Sequence, residues 1–153
     1  MISRILVPTD GSKTAQKAAR YAVDLARQLD ASIIVLSVSD LASLAASISG
    51  GAVPGAALSG PELDRIESSL QEAAKKHAEA VKRVCDKHGV QAKTILTTGH
   101  PANDIVNEAK KSKADLIVMG SHGRSALAAT VLGSVAYGVI HRDMNTPVLV
   151  VRR

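Results

Sequence analysis

The sequence predicts an α/β fold: a three-layer, doubly wound sheet of five parallel strands in the order 3-2-1-4-5, Rossmann-like in plan. Three observations predict it. Five short, near-continuously apolar runs alternate with stretches that carry apolar residues at helical spacing. All connections but one are short, which favours right-handed crossovers between parallel strands. Finally, the 153 residues include two Tyr and no Phe or Trp, so the core must be built from Val, Ile, Leu and Ala. That composition suits a sheet buried on both faces by Ala-rich helices.

Each element has its own signature. Ile5–Pro8 is the first strand. After it, Ala15, Ala18, Ala19, Ala22, Leu25, Ala26 and Leu29 trace one helical stripe, with Lys17, Arg20, Asp24 and Arg27 mostly opposite. Ser32–Val38 is the second strand. Pro61 opens the second helix, whose stripe is Leu63, Ile66, Leu70, Ala74, His77, Val81 and Val84, and Gly89 stops it. Ala92–Leu96 is the third strand, and Pro101 starts a third helix bearing Ile105, Val106 and Ala109. Asp115–Met119 is the fourth strand. A last helix from about Gly133 to His141 carries Val135, Ala136, Val139 and Ile140, and Pro147–Val151 closes the sheet. With no internal repeat or second core, residues 1–153 are expected to form a single domain.

Nineteen Lys and Arg against fourteen Asp and Glu give a net charge of +5. The excess suits an anionic ligand and serves solubility equally well. The basic residues lie in blocks no longer than two, which is no nucleic-acid tract, and the dearth of aromatics argues against base stacking. The one cysteine, Cys85, rules out an internal disulfide and fits a reducing compartment. The opening MISRILVPTDGS runs into a strand without signal-peptide architecture. The longest charge-free run, Leu41–Pro61, is broken by Gly50, Gly51, Pro54, Gly55 and Gly60, so it is no membrane span. The expectation is a soluble, cytoplasmic protein with neither nucleic acid nor membrane as partner. Overlapping that run, the long irregular stretch Ser39–Gly60 reads either as a lid over a site or as an insertion that tolerates change.

In the order 3-2-1-4-5 the chain reverses between strands 1 and 4, and ligands of such sheets bind outside the carboxyl ends of the strands at that point. Two segments meet there: Thr9-Asp10-Gly11-Ser12 and Gly120-Ser121-His122-Gly123-Arg124. The second opens the pattern Gly120-x2-Gly123-x9-Gly133-Ser134. Gly120 and Gly123 let phosphate oxygens approach peptide N–H groups with no Cβ in the way. At Gly133-Ser134, free N–H groups, the positive end of a helix dipole and a hydroxyl converge on an anion, and Arg124 could add a charge. Chance alone produces about 0.007 such matches per chain of this composition. The alternative is a set of turn glycines with an ordinary helix cap.

With these residues in view, residues 1–153 resemble the universal stress protein family. The matching stretches are Ile5-Leu6-Val7-Pro8-Thr9-Asp10-Gly11-Ser12, the Gly99-x-Pro101 turn, Asp115 through Gly123, Leu132-Gly133-Ser134-Val135 and Pro147 through Val151. The family's nucleotide-binding branch carries G-x2-G-x9-G-[ST], and every position of it is kept. The resemblance implies ATP binding, with Mg²⁺ as the companion of the triphosphate. Asp10 would lie near adenine and ribose and Val38 against the base, while Gly120, Gly123, Gly133 and Ser134 would hold the phosphates. Pro8, Thr9, Met119, His122, Arg124 and Val135 would line the pocket. Family members also commonly dimerise through the last strand. The implied role is an ATP-binding regulatory protein of the stress response.

Other readings compete at single residues. Asp10, just before a helix, is either its N-cap or a ligand contact. His122 lies inside the glycine loop, where a phosphate or ribose contact is the better reading and a catalytic base the poorer. His77 falls on an apolar stripe as a packed or edge histidine, and His88, His100 and His141 stand at element ends. No two histidines sit four apart and no cluster has metal-ligand spacing. Cys85, near Lys82, Arg83 and Lys87, reads as an inert thiol unless its pKa is depressed.

Two absences bear on catalysis. The sequence has no G-x-x-x-x-G-K-[ST], hence no lysine and Ser/Thr–Mg²⁺ arrangement for brisk phosphoryl transfer, and no apolar run ending in Asp. Main-chain amides and one hydroxyl offer little to orient a water, so hydrolysis is expected to be absent or slow. The alternative is a slow ATPase or nucleotidyl-transfer enzyme using the same pocket. Lastly, Pro147–Val151 forms a Val-rich sheet edge. Antiparallel pairing of two copies would satisfy it, giving a homodimer; the alternative is an edge guarded only by Pro147 and the terminal arginines.

Overall fold

The computed structural model describes residues 1–41, 59–123, 132–142 and 145–152. Arg124 and positions 42–58 of the long irregular stretch lie outside the described residues. The elements in chain order are β1 (Arg4–Pro8), α1 (Lys13–Leu29), β2 (Ser32–Ser39), α2 (Gly60–Lys87), β3 (Ala92–Thr98), α3 (Pro101–Ser112), β4 (Leu116–Gly120), α4 (Ser134–His141) and β5 (Val148–Val151). All five strands are parallel and their order is β3-β2-β1-β4-β5, as the alternation of the sequence predicts.

Successive strand residues point to opposite faces, and the sequence fills both with aliphatics. Ile5 and Val7 of β1, Ile33 and Val35 of β2, and Val118 of β4 pack under α1 and α2 through Ala18, Ala22, Ala78, Val81 and Cys85. Leu6, Ile34, Leu36 and Ile117 pack the other way, against Ala102, Ile105 and Ala109 of α3 and Ala136 and Val139 of α4. The alanine stripes let the helices sit close to the sheet, giving three layers without a phenyl ring.

Element ends depart from the sequence reading for local reasons. The β2–β3 ladder extends to Ser39↔Thr98, so β3 runs two residues past the predicted Leu96. β4 starts at Leu116 because Asp115 turns its carboxylate to the N–H groups of Ser3 and Arg4, both 2.9 Å away. These two bonds hold the Asp115 carboxyl below its ordinary pKa. α2 begins one residue before Pro61, with Ser59 as its N-cap. The Glu62 carboxylate accepts from the Ser59 N–H at 2.8 Å and from its hydroxyl at 2.6 Å, which keeps Glu62 below its usual pKa.

One irregularity of the sheet positions the site. The β1–β4 ladder covers only Ile5↔Leu116 and Leu6↔Ile117, although β1 continues to Pro8 and β4 to Gly120. Beyond Leu6, β1 keeps its pairing with β2 alone: Pro8 pairs with Leu36, and the Thr9 N–H donates to the Leu36 carbonyl at 2.8 Å. Pro8 has no N–H to give. The pairing of the two central strands ends there, at the reversal of strand order where sheets of this topology have their carboxyl-end crevice.

Candidate functional site

Three segments line the mouth of this crevice: the β1–α1 loop, the turn after β4, and the start of α4. The β1–α1 loop is closely held. The Thr9 side chain is buried, with its hydroxyl oxygen accepting from the Gly11 N–H at 3.3 Å and its carbonyl accepting from the buried Ser37 hydroxyl at 2.9 Å. Asp10 Oδ1 accepts from the Ser12 N–H at 3.0 Å. The N-cap of α1 is Ser12, whose hydroxyl oxygen accepts from the Ala15 N–H at 3.2 Å. The cap reading of Asp10 is therefore corrected. A serine two residues later takes that role, and the Asp10 carboxylate faces the turn after β4.

Glycines let that turn come close. A methyl group at Gly120 would meet the Ala15 nitrogen and the Thr14 carbonyl carbon at 2.9 Å, so the first turn of α1 lies on Gly120 itself. One at Gly123 would stand 2.7 Å from Asp10 Oδ2. One at Gly133 would meet the Ser121 carbonyl oxygen at 3.1 Å and the His122 Cα at 3.2 Å. The Gly133 N–H also donates to the Ser121 carbonyl at 2.7 Å, fastening the N-terminus of α4 to the turn. Thus Asp10, Gly123 and Gly133, far apart in sequence, are consecutive neighbours around one mouth.

The turn is further fixed by residues that sequence reasoning missed. Thr14, buried in the first turn of α1, donates its hydroxyl proton to the His122 carbonyl, and Ser12 Oγ does so at 3.5 Å. The Ser121 N–H donates to the Val151 carbonyl at 2.9 Å, tying the turn to β5. Nothing in the sequence flags Thr14, because its importance depends on a carbonyl 108 residues away.

The remaining site residues fall into place as follows. Pro8 is buried next to Thr9 in the chain, Met119 is buried and Val38 and Val135 partly buried on the α3–α4 side, and Ser134 is the exposed first residue of α4 with Gly133 as N-cap. The first amides of a helix have no carbonyl partner within it, so the opening turn of α4 presents donors at the mouth. His122 is partly buried, and its Nδ1 is 2.9 Å from Ser121 Oγ. That hydroxyl belongs to a residue only 1% exposed, so it is not placed to attack a substrate.

Elsewhere among the described residues, reactive groups are sparse. Cys85 is fully buried among aliphatics, and burial, aided by nearby Asp86, pushes its thiol up to about 11. At neutral pH it is a thiol, as expected of an inert cysteine. Among the described residues no group of three His, Cys, Asp or Glu is arranged to hold a metal ion, and no helix is long and apolar enough to cross a membrane. His77 of α2 lays its ring on Gly11, in keeping with a packed histidine.

Residues 1–152 match the model of the universal stress protein family. The chain is 35% identical over 153 residues to universal stress protein MJ0531 of Methanocaldococcus jannaschii, covering all of this chain and 84% of that one. Among solved structures it is similar to MJ0577 of the same organism, with a TM-score of 0.81, 32% identity, and coverage of 100% and 97% of the two chains. It also shares its fold, at a TM-score of 0.63 and 21% identity over 99% and 98% of the chains, with a universal stress protein of Archaeoglobus fulgidus solved in complex with dAMP.

Proposed function

This chain belongs to the universal stress protein family, and from that premise we propose that it is an ATP-binding regulatory protein whose nucleotide occupies the crevice between β1 and β4. The observation that carries the reading is the convergence of Asp10, Gly123 and Gly133 where the two strands part. The residues fit the group. Glycines leave the cradle open where side chains would fill it, and the opening turn of α4 brings amide donors and a positive dipole end to phosphate oxygens.

In this reading Asp10 accepts from the adenosine portion, and Val38 supplies an apolar wall for the base. Gly120, Gly123, Gly133 and Ser134 hold the phosphates, and Pro8, Thr9, Met119, His122, Arg124 and Val135 complete the surroundings. Mg²⁺ arrives with the triphosphate, since the described residues offer no ligand set of their own. The dAMP bound to the Archaeoglobus fulgidus protein is an adenine nucleotide held by the same fold. Residues 1–153 act as one domain. We place the protein in the cytoplasm, and as a homodimer paired along β5.

The chain's own groups bind and orient; they do not drive transfer. The sequence supplies no phosphate-loop lysine, the Ser121 hydroxyl is buried, and His122 lends its carbonyl to Thr14. Hydrolysis is consequently slow or absent, and nucleotide occupancy acts by changing the shape of the crevice and its partners. Calorimetric titration with Mg-ATP tests this. Saturable one-site binding that weakens in Ser134→Ala supports it, whereas no heat of binding in the wild type removes it. Turnover abolished by Asp10→Asn would instead favour the slow ATPase.

A further inference from the structure

We infer that His77, in the middle of α2, is a positioning residue for the nucleotide site, acting through Gly11; this rests on the function proposed above. Gly11 has φ +77°, a conformation that glycine adopts freely and other residues rarely. Its bare Cα is covered by the imidazole of His77: a methyl group there would meet His77 Nε2 at 2.5 Å and Cγ at 2.9 Å. The loop is thus held on three sides. Thr9 Oγ1 takes the Gly11 N–H at 3.3 Å, the Gln16 side-chain amide donates to the Gly11 carbonyl at 2.9 Å, and the His77 ring closes the third side.

The first two contacts come from Thr9, the residue after β1, and from Gln16 of α1, both close to Gly11 in sequence. His77 comes from a different helix, 66 positions along the chain from Gly11. Asp10 immediately precedes Gly11, and its Oδ1 is fixed by the Ser12 N–H on the other side of it. Any displacement of Gly11 therefore displaces the carboxylate that faces Gly123. A flat, partly buried ring with few rotamers resists such displacement better than a flexible chain. Through this contact α2, which packs on β2, β3 and α1, sets the geometry of a loop at the site.

The experiment compares wild type, His77→Ala and His77→Phe, the last retaining a flat ring at the same place. Without ligand, amide hydrogen exchange at Gly11 and Ser12 is expected to quicken about threefold or more in His77→Ala and to return most of the way in His77→Phe. Mg-ATP affinity is expected to fall about five- to tenfold in His77→Ala and to recover to within about twofold in His77→Phe. Unchanged exchange at Gly11 and Ser12 in His77→Ala overturns the inference, as does an affinity that falls equally in both variants. Wild type that binds no adenine nucleotide removes the proposed function instead, while the exchange comparison still decides whether His77 sets the loop.

Discussion

The Cα of Gly123 lies against the carboxylate of Asp10, so closely that a methyl group on it would stand 2.7 Å from Oδ2. Residues after two different strands thereby share one small volume at the end of the sheet. Gly123→Ala should force Asp10 to rotate, breaking its bond to the Ser12 N–H. Gly123 is exposed, so the fold should lose little, while Mg-ATP affinity should fall about tenfold. In an Asp10→Ala background the further effect of Gly123→Ala should shrink to what its methyl group takes from the phosphate cradle, because the clash with the carboxylate has gone. Additive losses would show that the two residues do not meet.

Ser12 takes the capping task that the sequence alone leaves open between it and Asp10, and the proposed function leaves Asp10 to the nucleotide. Ser12→Ala removes the N-cap of α1 and should lower stability by about 1 kcal/mol. Asp10→Asn keeps an oxygen for the Ser12 N–H, so stability should change by less than about 0.5 kcal/mol while ATP affinity drops. Thermal unfolding and titration of both variants separate the roles. A large loss of stability in Asp10→Asn would return the capping role to Asp10.

Gly120 carries a packing burden distinct from its place in the glycine pattern. Because a Cβ there meets main-chain atoms of Thr14 and Ala15 at 2.9 Å, no side-chain rotation relieves Gly120→Ala. The first turn of α1 must move, at a cost of about 1–3 kcal/mol, visible as a lower Tm even without nucleotide. A variant as stable as wild type would mean that α1 does not lie on Gly120.

Asp115 gives stability a pH dependence whose sign is fixed by its environment. Two backbone N–H bonds hold its folded-state carboxyl below the ordinary value. Its contribution is then full above the ordinary carboxylate range and fades as the pH falls through and below about 4. The difference in Tm between wild type and Asp115→Asn should stay constant near neutrality and narrow under acid. A gap that widens as the pH falls would reverse the assignment.

The proposed dimer has an equally local test. The Ile117 and Ser121 N–H groups donate to the Pro147 and Val151 carbonyls, so alternation turns the main chain of Val148 and Val150 toward the open edge of β5. Val150→Pro removes an edge-facing donor without touching the β4 ladder. Sedimentation should find wild type dimeric and Val150→Pro monomeric at the same concentration. A wild type that sediments as a monomer ends the proposal.

Much of this fold is legible from aliphatic runs and helical stripes, because a buried parallel strand has to be apolar on both faces. Ile33–Leu36 could be read in this way; the ends of β3 and β4 could not. Those are set by ladder pairs such as Ser39↔Thr98 and by the turn of Asp115 toward β1, which depend on chain segments far away in sequence. At the site, Asp10 and the glycines were visible as types and spacings. Their partners were not: Thr14 reaching the His122 carbonyl, α1 resting on Gly120 and His77 covering Gly11 are products of tertiary packing alone. That Ser12 rather than Asp10 caps α1 was hidden for a simpler reason, since both are good caps and stand two residues apart.

A crystal structure of the protein grown with Mg-ATP tests the proposed nucleotide site most directly. We predict density for the nucleotide between β1 and β4, with its adenosine beside Asp10 and Val38 and its phosphates against Gly123, Gly133 and Ser134. An empty crevice at saturating nucleotide, or ATP bound at another face of the sheet, would contradict it.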